Sequence, residues 1–123
     1  MTNNDALYRQ EFLRRANNLK HTGSITDSKS LQATNPLCGD EQELDIKLDG
    51  NTVQAASFRP QGCLVSKVST DLLLDLIIGK DISFIEQLDL DNIVELLHTP
   101  LTSSRQKCAM LGLSTIQDYL KSL

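Results

Sequence analysis

Glu43-Leu44-Asp45-Ile46-Lys47-Leu48-Asp49-Gly50-Asn51-Thr52-Val53 is the stretch that sets the fold class of this chain. Leu44, Ile46 and Leu48 alternate with Glu43, Asp45 and Lys47, the period-two pattern of a strand with one face on a core and one in water. Asp49-Gly50-Asn51 then reads as a hairpin turn, because Gly and Asn accept positive φ at little cost. Val53 to Phe58 returns as the partner strand, and Leu31 to Thr34 adds a third strand ahead of Pro36.

Outward from this sheet the pattern turns helical. Residues 4 to 19 place Leu7, Tyr8, Glu11, Phe12, Arg15 and Leu19 at helical spacing, with Phe12 and Leu19 on the buried stripe. Lys20 to Ser30, rich in Ser, Thr, Gly and Asp, reads as a flexible linker, so that residues 1–30 form a helix and linker ahead of the sheet. After the sheet, Leu64 to Ile78 forms a helix closed by Gly79. Ser83 is placed to cap a short helix through Leu88, and Asp91 another through Leu97. Pro100 breaks the chain, and Ser103 or Ser104 caps a last helix that buries Ala109, Leu113, Ile116 and Leu120. The order predicts an α+β domain: an N-terminal helix, a small three-stranded antiparallel sheet, then helices packed on one face.

Composition narrows the function. A chain of 123 residues fits one domain, residues 1–123, with an aliphatic core, since it holds no Trp. Its formal net charge of −4 is spread along the sequence, which argues against nucleic acid or an anionic membrane as partner. No apolar run reaches the ~18 to 20 residues that span a bilayer. The polar start, Met1-Thr2-Asn3-Asn4-Asp5, lacks the layout of a secretory signal, so a cytoplasmic setting is expected.

In that compartment the three cysteines stay reduced, as free thiols, buried apolar residues or ligands. Taken singly, each reads well as a small hydrophobe. Their placement says more. Cys38 lies in Pro36-Leu37-Cys38-Gly39-Asp40, a turn that can aim a thiolate and a carboxylate at one ion. Cys63 follows Gly62 and directly precedes a helix. Cys108 falls in the first turn of the last helix if Ser104 is its cap. Two thiols would then sit near helix N-termini, where the dipole favours the thiolate that binds metal and attacks sulfur. His21, in the linker, is expected to be exposed. His98, at a helix end, is expected to be exposed or satisfied nearby.

Four motifs, in order, resemble one family. Asn35-Pro36-Leu37-Cys38-Gly39-Asp40, Gly62-Cys63, Gly79-Lys80 and Arg105-Gln106-Lys107-Cys108 look like the signature of the IscU/SufU/NifU-N family of iron–sulfur cluster assembly proteins. The resemblance runs from about Leu7 to the C-terminus. It leans to the SufU branch, because Leu7-Tyr8-Arg9-Gln10 resembles that branch's opening helix and Lys107 stands where scaffold-type members carry histidine. Leu101-Thr102-Ser103-Ser104-Arg105 replaces the proline-rich segment that recruits a dedicated Hsp70 chaperone, which puts that partner in doubt.

The resemblance implies a SufE/NifU-like fold and a site formed by Cys38, Asp40, Cys63 and Cys108. Its cargo would be iron or a nascent [2Fe–2S] cluster, handed to recipient apo iron–sulfur proteins. The alternative it implies is a zinc-bound sulfur acceptor for a cysteine desulfurase, with Cys38 and Cys108 as candidate persulfide acceptors. Thiolate suits zinc and cluster iron alike, so the ligand types do not choose between them. The carboxylate is the more labile ligand, and Asp40 would tune release of a cluster or detachment of one cysteine.

Overall fold

The computed structural model describes residues 2–35, 39–98 and 100–123, and side chains from residue 9 onward within that range. Helix α1 (Thr2–Asn17) precedes strands β1 (Lys29–Asn35), β2 (Asp40–Asp49) and β3 (Thr52–Gln61). Helices α2 (Leu64–Ile77), α3 (Ile82–Glu86), α4 (Leu90–Leu97), α5 (Ser103–Ala109) and α6 (Leu111–Lys121) complete the chain. The sheet is antiparallel in the order β1-β2-β3. This is the α+β arrangement that the alternating hairpin predicts. Among the described residues, no helix is long and apolar enough to cross a membrane.

One sheet face carries Ala33, Leu44, Ile46, Ala56 and Phe58 into the core, where they join Val68, Leu73, Leu74 and Ile77 of α2 and Leu113, Ile116 and Leu120 of α6. Helix α6 packs along β1 and α2 along β3. Phe58 is fully buried, and with no Trp in the chain aliphatic side chains supply most of the rest. The strands run further than the apolar alternation suggests, so β2 begins at Asp40 and Gln42 is buried on the same face as Leu44.

The expected wet face of β2 is not wholly wet. Asp45 is buried, accepting hydrogen bonds from Arg59, from the Ser30 hydroxyl and from the Ile25 N–H. Nor is the stretch after α1 a loose linker. The Gly23 N–H donates to the Phe58 carbonyl at 3.0 Å, and the Phe58 N–H to that of His21 at 2.9 Å. Residues 21–23 thereby cover the outer edge of β3, which would otherwise stand open to pairing with another chain.

His21 is likewise not exposed. Its Nε2 lies 2.7 Å from an Asp75 oxygen, and Arg15 reaches the other Asp75 oxygen at 2.7 Å. Helix α1 ends at Asn17, so Leu19 sits beyond it, half-buried against the core with Phe12. The later helices start slightly off the expected caps. Asp81 rather than Ser83 caps α3, Asp89 rather than Asp91 caps α4 in a reciprocal box with Asn92, and Thr102 caps α5. The expected last helix is two, broken at Met110.

Asp45 gives this fold a pH signature. The Arg59 guanidinium, opposed by burial and helped by the Ile25 N–H and Ser30 hydroxyl, holds its carboxyl down to about 2 from an ordinary 3.8. A group depressed in the folded state stabilises above its unfolded pKa and loses that contribution as pH falls through the folded value. About 2 kcal/mol, present above pH ~4, should therefore be lost by pH ~2. Urea unfolding across that window should show the parent losing stability more steeply than Asp45→Asn. Parallel curves would show that Asp45 contributes nothing by this route.

Candidate functional site

The site is built where the sheet hands the chain to α2. Strand β3 ends at Gln61, and Gly62 at φ +135° turns the chain into the helix. Cys63 is the N-cap of α2, as expected, but the cap receives no side-chain hydrogen bond of its own. The Cys63 N–H donates instead to Asp40 Oδ1 at 2.7 Å, tying the start of α2 to the start of β2. The Cys63 thiol lies 3.5 Å from Asp40 Oδ2 and 3.8 Å from the Ser66 hydroxyl.

Gly62 makes that contact possible. A Cβ at this position would stand 2.1 Å from Asp40 Oδ1 and 2.9 Å from Asp40 Cα. The backbone at Gly62, just ahead of α2, thus runs against the aspartate with no room for a methyl group. Asp40 itself is 1% exposed. Before it, Gly39 adopts φ +72° and its N–H donates to the Asn35 carbonyl at 2.9 Å, closing the turn between β1 and β2.

Cys108 completes the cluster from the other side. Its side chain is a thiol, outside any disulfide and 3% exposed, in the last turn of α5, where helix α5 packs on α2. It does not lie in the first turn of a last helix, because Thr102 rather than Ser104 caps α5, which makes Cys108 its sixth residue, and the break at Met110 ends α5 just beyond it. The expectation that the N-terminal dipole acts on Cys108 therefore fails, while Cys63 does stand at a helix N-terminus. Lys107 is exposed in the last turn of α5. Asp40, Cys63 and Cys108 each offer one donor atom, and these three atoms all lie within 4.8 Å of one another. Cys38 lies outside the described residues.

The donor set fits a soft metal. In a tetrahedral site with thiolates about 2.3 Å from zinc, sulfurs stand roughly 3.8 Å apart, so donors within 4.8 Å need only a small inward shift. The N-terminal end of α2 also holds a residue that is not among the sequence-predicted site residues. Ser66, one turn after Cys63, donates its hydroxyl to the Cys63 carbonyl at 3.0 Å while lying beside its sulfur. Only its i, i+3 relation to Cys63 marks it in the sequence. His98, exposed at the C-cap of α4, and His21, bound to Asp75, are not in the cluster.

Comparison with known proteins points the same way. Residues 7–122 match the family described as "NifU-like N terminal domain". The "Zinc-dependent sulfurtransferase SufU" of Bacillus subtilis is 31% identical over 132 aligned positions, covering 94% of this chain and 90% of the relative. The "Iron-sulfur cluster assembly scaffold protein IscU" of Thermotoga maritima is 28% identical, covering 95% and 94%. Among solved structures, a putative iron–sulfur cluster assembly scaffold protein for the SUF system from Fervidobacterium islandicum superposes with a TM-score of 0.72 at 24% identity, covering 87% of this chain and 91% of that one. That likeness bears on the fold alone. On the match over nearly its whole length, the chain belongs to the NifU-like N-terminal domain family.

Proposed function

We propose that this chain is an iron–sulfur cluster assembly protein. It holds iron or a nascent [2Fe–2S] cluster through Cys38, Asp40, Cys63 and Cys108 and passes it to recipient apo proteins in the cytoplasm. The observation that carries this reading is the convergence of Asp40, Cys63 and Cys108 donor atoms within 4.8 Å, from three separate elements. The buried Cys108 thiol and the half-buried Cys63 thiol limit water access at this junction, and the single carboxylate provides an exchangeable ligand. Cys38, two residues before Asp40 in the sequence, is the fourth donor in this reading.

A second reading has its own support. The SufU relative is named a zinc-dependent sulfurtransferase, and Lys107 precedes Cys108 in this chain. Here the same four residues would hold a zinc ion, which would keep the thiols as thiolates, and one thiolate of this chain, from Cys38 or Cys108, would attack the outer sulfur of a cysteine desulfurase's persulfide. A new S–S bond forms on this chain, the desulfurase S–S bond breaks, and the desulfurase thiolate departs with the electron pair.

Elemental analysis of protein purified without oxygen separates the two, as iron with sulfide or as zinc. The Asp40→Ala variant then tests the carboxylate. Its thiolates should still retain the cargo, while cluster transfer, or desulfurase stimulation, falls about tenfold or more at matched metal content. Transfer and stimulation both equal to the parent's would reduce Asp40 to a turn residue.

A further inference from the structure

Two residues along β2 from Asp40, and therefore on the same face, stands Gln42. Its neighbours on that face, Leu44 and Ile46, are apolar, yet Gln42 is 1% exposed. Burying an amide costs free energy unless its hydrogen bonds are made, and an aliphatic residue would fill the space without that demand. What an amide adds is direction.

Both ends of the Gln42 amide are bonded to α2. Its Nε2 donates to the Ser66 carbonyl at 3.0 Å, and its Oε1 accepts from the Thr70 hydroxyl at 2.8 Å. Ser66 and Thr70 are four residues apart, on one face of the helix. Ser66 bonds the Cys63 carbonyl in turn. Thr70 also meets α6: a Cβ on Gly112 would lie 2.6 Å from Thr70 Oγ1 and 3.2 Å from its Cγ2. Gly112 follows Cys108 by four residues. A buried chain of hydrogen bonds therefore connects the strand that carries Asp40 to the helix that Cys63 caps, and Thr70 packs closely on Gly112 of the helix that follows Cys108.

We propose that Gln42, acting through Thr70, is a positioning residue for the Asp40–Cys63–Cys108 cluster, fixing the register of α2 on β2 and so the placing of Cys63 against Asp40. This rests on the metal-holding role proposed above. Removing the amide leaves the core able to close, because an apolar side chain of similar length can occupy its place. It leaves α2 free to slide on β2 by fractions of an ångström, which the donor geometry registers.

The test uses the full chain with Gln42→Met, Thr70→Val and Thr70→Ser, probed with Co(II) alone and with Zn(II) alone. Gln42→Met and Thr70→Val should fold by circular dichroism. They should show an altered Co(II) ligand-field spectrum and a zinc affinity lower by about tenfold or more in competition with a chromophoric chelator. Thr70→Ser, which keeps the hydroxyl, should restore the parent spectrum and affinity. A merely structural role would change the melting of the metal-free chain and leave both metal readouts at the parent's values, and that result overturns the proposal. If Gln42→Met fails to fold, the Thr70→Val and Thr70→Ser pair decides by the same two readouts. A parent chain that binds neither Co(II) nor Zn(II) overturns the proposed function itself, and this role with it.

Discussion

Gly62→Ala should abolish metal retention and cost about 3 kcal/mol of stability. Two independent effects act at this position. The φ of +135° is one that residues with a Cβ rarely adopt. The added methyl would also stand 2.1 Å from Asp40 Oδ1 and 2.9 Å from Asp40 Cα, so rotating the carboxylate relieves only part of the overlap. The rest must come from moving the Cys63 end of α2 away from β2, which breaks the 2.7 Å bond from the Cys63 N–H to Asp40. Gly79→Ala supplies the control. Gly79 also has positive φ, at +87°, but a Cβ added there would meet nothing within 4 Å. It should lose about 1 kcal/mol from backbone strain and keep its metal. Equal losses in the two variants, with metal retained in both, would show that the close approach at Gly62 does not shape the site.

Asp71→Ala should destabilise by roughly 3 to 5 kcal/mol, because it leaves a part-buried charge and two backbone donors short of their partner. Asp71 is fully buried in α2. Its carboxylate accepts from Arg15 Nε, from the Lys20 N–H at 3.0 Å and from the His21 N–H at 2.8 Å. Arg15 is 15% exposed and would retain Asp75 and a long bond, at 3.4 Å, to the backbone carbonyl of residue 71. The carboxylate thus pins both α1 and the segment covering the edge of β3. Asp71 lies two helical turns beyond Cys63 and takes no part in the donor cluster. The folded variant should therefore bind metal with the parent's stoichiometry while its urea midpoint falls sharply. A loss below about 1 kcal/mol would mean that water replaces the carboxylate without penalty.

These two residues mark what was legible in the sequence. The hairpin of β2 and β3 was, because period-two alternation around Asp49-Gly50-Asn51 admits one register with a buried face. So was the pairing of Cys63 with the start of α2, since Gly-Cys ahead of an apolar helical run leaves little choice. Helix caps were legible only to within two residues. Asp81 and Ser83 stand close enough to serve either way, as do Asp89 and Asp91, and tertiary packing selects between them. Taking Ser104 as the cap puts Cys108 at a helix start; the helix starts earlier, at the Thr102 cap, and breaks at Met110, where no Pro or Gly announces it, so Cys108 is found near a helix end. The Asp71 cluster and the burial of Asp45 and Gln42 depend on partners 14 to 56 residues away in sequence. No local pattern signals them.

The proposed metal centre joins Asp40, Cys63 and Cys108 with Cys38. X-ray absorption on the zinc-loaded chain should show three sulfur neighbours at about 2.3 Å and one oxygen at roughly 2.0 to 2.2 Å, with one sulfur fewer in Cys108→Ser. A zinc surrounded only by nitrogen and oxygen, or one whose neighbours are unchanged in Cys108→Ser, would contradict it.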